Sequence, residues 1–346
     1  MSLLESTLKK ISPPDIDAMR MARERLDSLL KPPGSLGCLE DIAIKLAGIT
    51  GTVGAPIGKK TILVMAGDNG ITEEKVSSFP REISTLVAET MVKGISGVSV
   101  LARHAGADLK VVDLGLEGDV KDSRVINRKI RRMTSNMARG AAMGHDEALR
   151  AIETGIEIAN AAVDEGADIL GTGEIGIGNT TTASAVLYAF GAGGLDEIVG
   201  RGAGLTDEGL SRKKEIIRRA VELNRPDPAD PVDVLSKVGG FDMAGLCGCY
   251  LAAAARRRPI VIDGFIAGAA AVAAVKMHPG ARDFMITSHA SAEPGVAAIS
   301  RILELPPMLA LDMRLGEGTG AALAFHVIEA AVKIINEMGT FKDIGM

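Results

Sequence analysis

Thr61-Ile62-Leu63-Val64-Met65-Ala66 runs without a break into Gly67-Asp68-Asn69-Gly70. A short apolar run closed by a glycine-and-acid turn reads as a buried strand followed by a loop. Runs of the same kind recur at 109–114, 167–170, 259–262, 281–287 and 308–313, with helical stretches between them. Strand–helix alternation implies βαβ units, hence an α/β fold with a mostly parallel sheet of about six strands flanked by helices. Upstream, residues 16–30 carry apolar positions at helical spacing until Pro32-Pro33-Gly34 stops the pattern, and residues 321–338 return to helix. The last helix is expected to pack beside the N-terminal ones.

Five of the six runs lead into segments rich in glycine, acid or hydroxyl: Gly67 to Gly70, Gly171 to Thr182, Asp263-Gly264, Ser288-His289-Ala290-Ser291, and Leu315-Gly316-Glu317-Gly318-Thr319-Gly320. In open α/β sheets the ligand crevice lies beyond the carboxyl ends of the strands, so these segments are expected to converge on one site.

Composition narrows the ligand. The chain has 346 residues, 47% hydrophobic, with 41 glycines, no tryptophan and 3% aromatics, which describes a core of small and aliphatic side chains. Its net charge of −5 is dispersed, so neither a nucleic acid nor an anionic membrane is an expected partner, and small molecules are. Cys38, Cys247 and Cys249 are an odd count with two members too close to pair, which favours buried thiols in a reducing cytoplasm. Residues 1–14 show no signal-peptide pattern, and the apolar stretch 265–275 is far short of the ~20 residues a membrane span needs.

The motifs admit competing readings. Gly171-Thr172-Gly173-Glu174-Ile175-Gly176 matches the G-x-G-x-x-G dinucleotide fingerprint, which would make the chain an NAD-dependent oxidoreductase. The alternative is an anion cradle, with glycines exposing N–H groups and a helix N-terminus capped by Asn179 or Thr180. Gly200-Arg201-Gly202-Ala203-Gly204-Leu205 is a second glycine loop opening a helix, with Thr206 as N-cap; Lys213, two turns in, is by default on a solvated face and otherwise a point charge for phosphate. Glu317, between glycines, is either an acid favoured near a helix N-terminus or a general base raised toward working pH by desolvation. Glu174 invites the same comparison. No HxxxH pattern, Cys/His cluster or paired aspartates suggests a metal, no acidic diphosphate-binding signature is present, and no cofactor is expected.

Taken in order, the segments resemble the nicotinate-nucleotide:5,6-dimethylbenzimidazole phosphoribosyltransferase family across nearly the whole chain. The resemblance rests on Lys31-Pro32-Pro33-Gly34-Ser35-Leu36-Gly37 with Leu39-Glu40, Asp68-x-Gly70, Val76-Ser77-x-Phe79-Pro80, Gly173 to Thr181, Gly200 to Gly204, Asp263-Gly264-Phe265, Ser288-His289-x-Ser291-x-Glu293 and Leu315 to Ala321. It implies a homodimer, with a large Rossmann-like domain over 60–318 and a small helical domain built from 1–59 and 319–346. It implies a reaction in which a benzimidazole nitrogen attacks the anomeric carbon of nicotinate mononucleotide. Glu317 would take the benzimidazole proton, with Glu174 on the ribose and base side. Gly176, Ile177, Gly178, Asn179, Gly202, Gly204, Lys213 and Ser291 would surround phosphate and ribose, and Asp263-Gly264 would lie near ribose or nicotinate. Ser77, Phe79, Leu86 and Leu315 would line the base slot. The family usually has His where this chain has Asn69 and commonly Gln where Leu86 stands, which leaves packing to choose the base. A protein that binds the mononucleotide without consuming it is the non-catalytic rival.

Overall fold

The computed structural model describes residues 1–80, 82–202 and 204–345. Six strands form one all-parallel sheet in the order β3-β2-β1-β4-β5-β6: β1 (Lys60–Gly67), β2 (Ala107–Gly115), β3 (Ile126–Asn127), β4 (Ile169–Ile175), β5 (Ile260–Ile262) and β6 (Met285–Thr287). The helices are α1 (Leu3–Leu8), α2 (Ile16–Asp27), α3 (Cys38–Thr50), α4 (Ile83–Lys93), α5 (Gly97–Ala105), α6 (His145–Asp164) and α7 (Asn179–Ala189). They continue with α8 (Leu195–Ile198), α9 (Asp207–Asn224), α10 (Pro231–Val238), α11 (Phe241–Ala255), α12 (Phe265–Met277), α13 (Val296–Leu303) and α14 (Thr319–Glu337).

Every residue of β1 is buried, because the sheet is covered on both faces. One core holds α6, α7 and α9 to α13; the other holds α2, α3, α4, α5 and α14. Small residues set the packing distance. A methyl on Gly155 of α6 would land on the Gly245 carbonyl of α11, and one on Gly248 would land on the Ile152 carbonyl, so these helices meet backbone to backbone. That is where much of the glycine and alanine content goes.

Both ends of the chain meet on the second face. Leu30 N–H donates to the Gly339 carbonyl at 2.8 Å, Leu29 bridges Thr340 antiparallel, and the Arg25 guanidinium reaches the Ile335 and Met338 carbonyls. The short α1 packs instead on α6 and α11, across the sheet. By length and hydropathy alone α14 and the α4–α5 stretch 83–105 are apolar enough to cross a membrane, a property not evident from 265–275; α14 is spent covering the sheet.

Two strand expectations need correction. Residues 308–313 form no strand: Leu309 makes one parallel bridge to His289, and Asp312, at φ 52°, turns the backbone out of the extended region. The sixth strand is β3, two residues long and too short to leave an apolar run. The dinucleotide reading also falls, since β4 extends to Ile175 and its first two glycines, Gly171 and Gly173, lie inside the strand. A methyl on Gly171 would stand 3.0 Å from the Phe325 ring of α14, and one on Gly173 would strike the Glu317 carbonyl. These glycines admit the last helix and its preceding turn.

Candidate functional site

The segments after β4, β5 and β6 and the 315–317 turn converge around a cavity of ≈ 730 Å³, within the roughly 300–1,000 Å³ typical of small-molecule sites, whereas Gly67 to Gly70, after β1, stand off its wall, Asp68 and Asn69 meeting Ile177. Its floor is Glu174, Gly176, Ile177, Asn179 and Thr180; Gly202 and Gly204 close one side, Gly264, His289 and Ser291 another. Phe79, Ile83 and Val87 face Leu315, Gly316 and Glu317 across the opening.

Glu317 owes its position to three successive residues of positive φ: Gly316 at 80°, Glu317 itself at 64° and Gly318 at 103°. A non-glycine held there costs of order 1–3 kcal/mol, so the surroundings must fix it. They do so from beneath. The buried Asp263, which follows β5, accepts N–H groups from Gly318 (3.1 Å), Gly320 (2.7 Å) and Ala321 (3.2 Å), satisfying the start of α14 with a carboxylate at its positive end. Above, Glu317 Oε2 accepts the Val98 N–H at 3.3 Å from the first turn of α5. Desolvation raises the Glu317 carboxyl above its usual range, only partly offset by that hydrogen bond. A carboxylate with one protein donor, at a cavity wall, keeps acceptor capacity for a ligand proton.

Glu174 stands at the end of β4, buried. Burial, then the charges of Asp242 and Asp263, push it up to about 8. Its Oε2 accepts the Asn179 amide, and the same nitrogen lies 3.3 Å from Asp242 Oδ2. Asn179 therefore does not cap its helix: Gly178, at φ 92°, is the N-cap, and the Asn179 side chain turns inward to serve two carboxylates.

The third corner is cationic. Thr206 caps α9 as its sequence position suggests, accepting the Gly209 N–H at 3.2 Å. Two turns on, Lys213 is not solvated but 1% exposed, its Nζ donating to Thr180 Oγ1 (2.9 Å) and the Gly200 carbonyl (3.2 Å). Burial lowers its pKa to about 8, against a rise from Glu293. Two neutral acceptors do not offset the several kcal/mol needed to bury an ammonium. Gly202 (φ 53°) and Gly204 (φ 97°) fold over it, a Gly202 methyl standing 3.0 Å from Thr180 Oγ1. Lys213 is thus prepared for an anion arriving beside Thr180.

Several expected residues lie off the wall. Asp263 spends both oxygens on the Glu317 turn, so it supports the site from below. Ser77 accepts the Phe79 N–H at 3.2 Å and shapes the segment that presents Phe79. Leu86 is 60% exposed; the residues of α4 on the cavity are Ile83 and Val87. Asn69 is fully buried behind Ile177. Ala203 lies outside the described residues. Sequence reasoning missed Asp242, whose signal was an acid just after Gly239-Gly240, and Asp68, whose carboxylate ties Ile177 N–H (3.3 Å) and Glu117 N–H (2.9 Å) across three strand ends.

A family model described as Phosphoribosyltransferase matches residues 11–346. The nicotinate-nucleotide–dimethylbenzimidazole phosphoribosyltransferase of Ruminiclostridium cellulolyticum is 52% identical over 339 residues, 98% of this chain and 96% of the relative. That of Clostridium acetobutylicum is 52% identical over 340 residues, covering 98% and 97%. The crystal structure of CobT from Thermus thermophilus superposes with a TM-score of 0.92 at 39% identity, covering 95% of this chain and 99% of that one.

Proposed function

Because this chain belongs to the nicotinate-nucleotide–dimethylbenzimidazole phosphoribosyltransferase family, we propose that it moves the 5-phosphoribosyl group of nicotinate mononucleotide to 5,6-dimethylbenzimidazole or a related base. The products are nicotinate and α-ribazole 5′-phosphate, for the nucleotide loop of cobalamin. The observation that carries this reading is Glu317, held on a strained turn at the cavity with one backbone donor. As the benzimidazole nitrogen forms its bond to the anomeric carbon, the bond to nicotinate breaks with inversion, and the proton on the other benzimidazole nitrogen passes to Glu317. Glu174 faces the ribose, where its ionised form favours developing oxocarbenium charge. Lys213, Thr180, Gly202, Gly204 and Ser291 take the phosphate end, and Phe79, Ile83, Val87 and Leu315 sandwich the planar base.

The oxidoreductase reading has no support, since Gly171 and Gly173 of its fingerprint are strand glycines. The domain division at 60–318 against 1–59 with 319–346 belongs to this proposal, supported by the joining of α2, α3 and α14. So do the cytoplasmic setting and a homodimer, the latter supported by exposed apolar Leu86, Ile95 and Val100 on α4–α5 beside Leu315. Incubation with nicotinate mononucleotide and a panel of dimethylbenzimidazole, benzimidazole, adenine and p-cresol, with nicotinate release and product mass followed, tests the reaction. Release coupled to a new riboside phosphate is expected; mononucleotide binding without release for any acceptor would leave a carrier instead.

A further inference from the structure

Behind Glu174 lies a polar cluster for which the reaction above has no use. Asp242, in the first turn of α11, is fully buried, and its Oδ2 shares the Asn179 amide with Glu174. Among the described residues its other oxygen, Oδ1, has no hydrogen-bond partner, and neither does Asn69 Oδ1. Both face the same backbone atom: a methyl on Gly240 would run into these two oxygens at once. Two buried acceptors left side by side without a donor would each cost about 1–3 kcal/mol.

Turning the Asn69 amide over does not remove the conflict. Its Nδ2 lies 3.4 Å from the Gly67 carbonyl and 3.4 Å from the Ile177 carbonyl, so the flip would set an oxygen against both. A proton on Asp242 does remove it. We propose that Asp242 is a protonated positioning residue whose O–H donates to Asn69 Oδ1, leaving the Asn179 amide committed to Glu174. The charged and titratable groups around it are Asp68 at the end of β1, Glu174 on β4, and Arg131, whose guanidinium stands 5.4 Å from the adjacent Phe241 ring. Burial pushes Asp242 up to about 7, against the lowering effect of the Met243 N–H and the Asn179 amide and with a smaller rise from Asp68, which agrees with the geometry. Asp242 then adds no charge of its own behind the ribose.

The proposal deepens the reading of the same site, and its first test needs no turnover. Infrared difference spectra of unliganded wild type against Asp242→Asn at neutral pH should contain the C=O stretch of a protonated carboxylic acid, and Glu174→Gln should retain that band. Absence of the band from the Asp242→Asn difference, or its loss only in Glu174→Gln, overturns the proposal. Asn at 242 reproduces the neutral acid, with an N–H for Asn69 and an oxygen for Asn179, so its kcat should stay within about threefold of wild type while Asp242→Ala falls at least about tenfold. A folded Asp242→Asn protein as impaired as Asp242→Ala would mean that the charge is required, and the proposal fails. Should Asp242→Ala not fold, the infrared comparison decides alone.

Discussion

Glu317 and Lys213 place opposite demands on pH. In the proposed reaction Glu317 must be ionised to accept a proton, and burial has moved its titration upward; Lys213 must be protonated to hold phosphate, and burial has moved its titration down to about 8. Mononucleotide binding should therefore weaken as pH rises through about 8, and a Kd measured by calorimetry that stayed flat across that range would take Lys213 out of the phosphate subsite. Glu317→Gln keeps shape but cannot accept the proton; it should fold normally and lose about 10²–10⁴ in kcat, as a nicotinate-release assay will read. Glu174 has a thermal signature. Its folded pKa is raised from 4.5 to about 8, so the folded protein holds a proton that the unfolded chain has lost, and stability falls as pH rises across that window. Glu174→Gln, neutral throughout, should lose less melting temperature than wild type between pH 5 and pH 8. Of these residues Glu317 and Glu174 were visible in the sequence as charges among glycines. The state of Lys213 was not, because a lysine flanked by Arg212 and Lys214 looks solvated until tertiary packing closes over it.

Among the elements, the contact between β4 and the turn before α14 fixes where Glu317 stands. Gly173 exists so that the Glu317 carbonyl can rest on the strand. Gly173→Ala must push that turn away, costing about 1–3 kcal/mol of overpacking strain and on the order of 10²-fold in kcat through misplacement of the base; thermal melts and steady-state rates on one preparation separate the two. Strand and helix alternation was legible because buried parallel strands leave unbroken apolar runs, as in β1. Residues 308–313 misled because their apolar run meets the loop after β6 through scattered backbone hydrogen bonds and a single bridge, too irregular for a strand. The glycines of β4 misled because a strand glycine that makes room for a helix is spelled like a loop glycine that cradles a phosphate.

For the whole molecule, the proposed homodimer is tested at the exposed apolar residues of the 83–105 stretch. Ile95 is 70% exposed and Val100 50%, and burial of such a face between two copies should give a particle of twice 35.9 kDa in sedimentation experiments. Val100→Asp should shift it toward the single chain. The convergence of strand ends on one cavity was legible in the sequence, whereas the pairing of 29–30 with 339–340 was not, since two residues of antiparallel contact have no pattern. The late position of α14 has a consequence for the life of the protein in a cell. A chain whose synthesis stops before Gly316 lacks its proton acceptor and also the helix that shields Ile62, Val64 and Ile169. Such a product keeps the residues proposed for phosphate but has no base for the transfer, and its bare apolar sheet face is the kind of surface that chaperones and proteases act on.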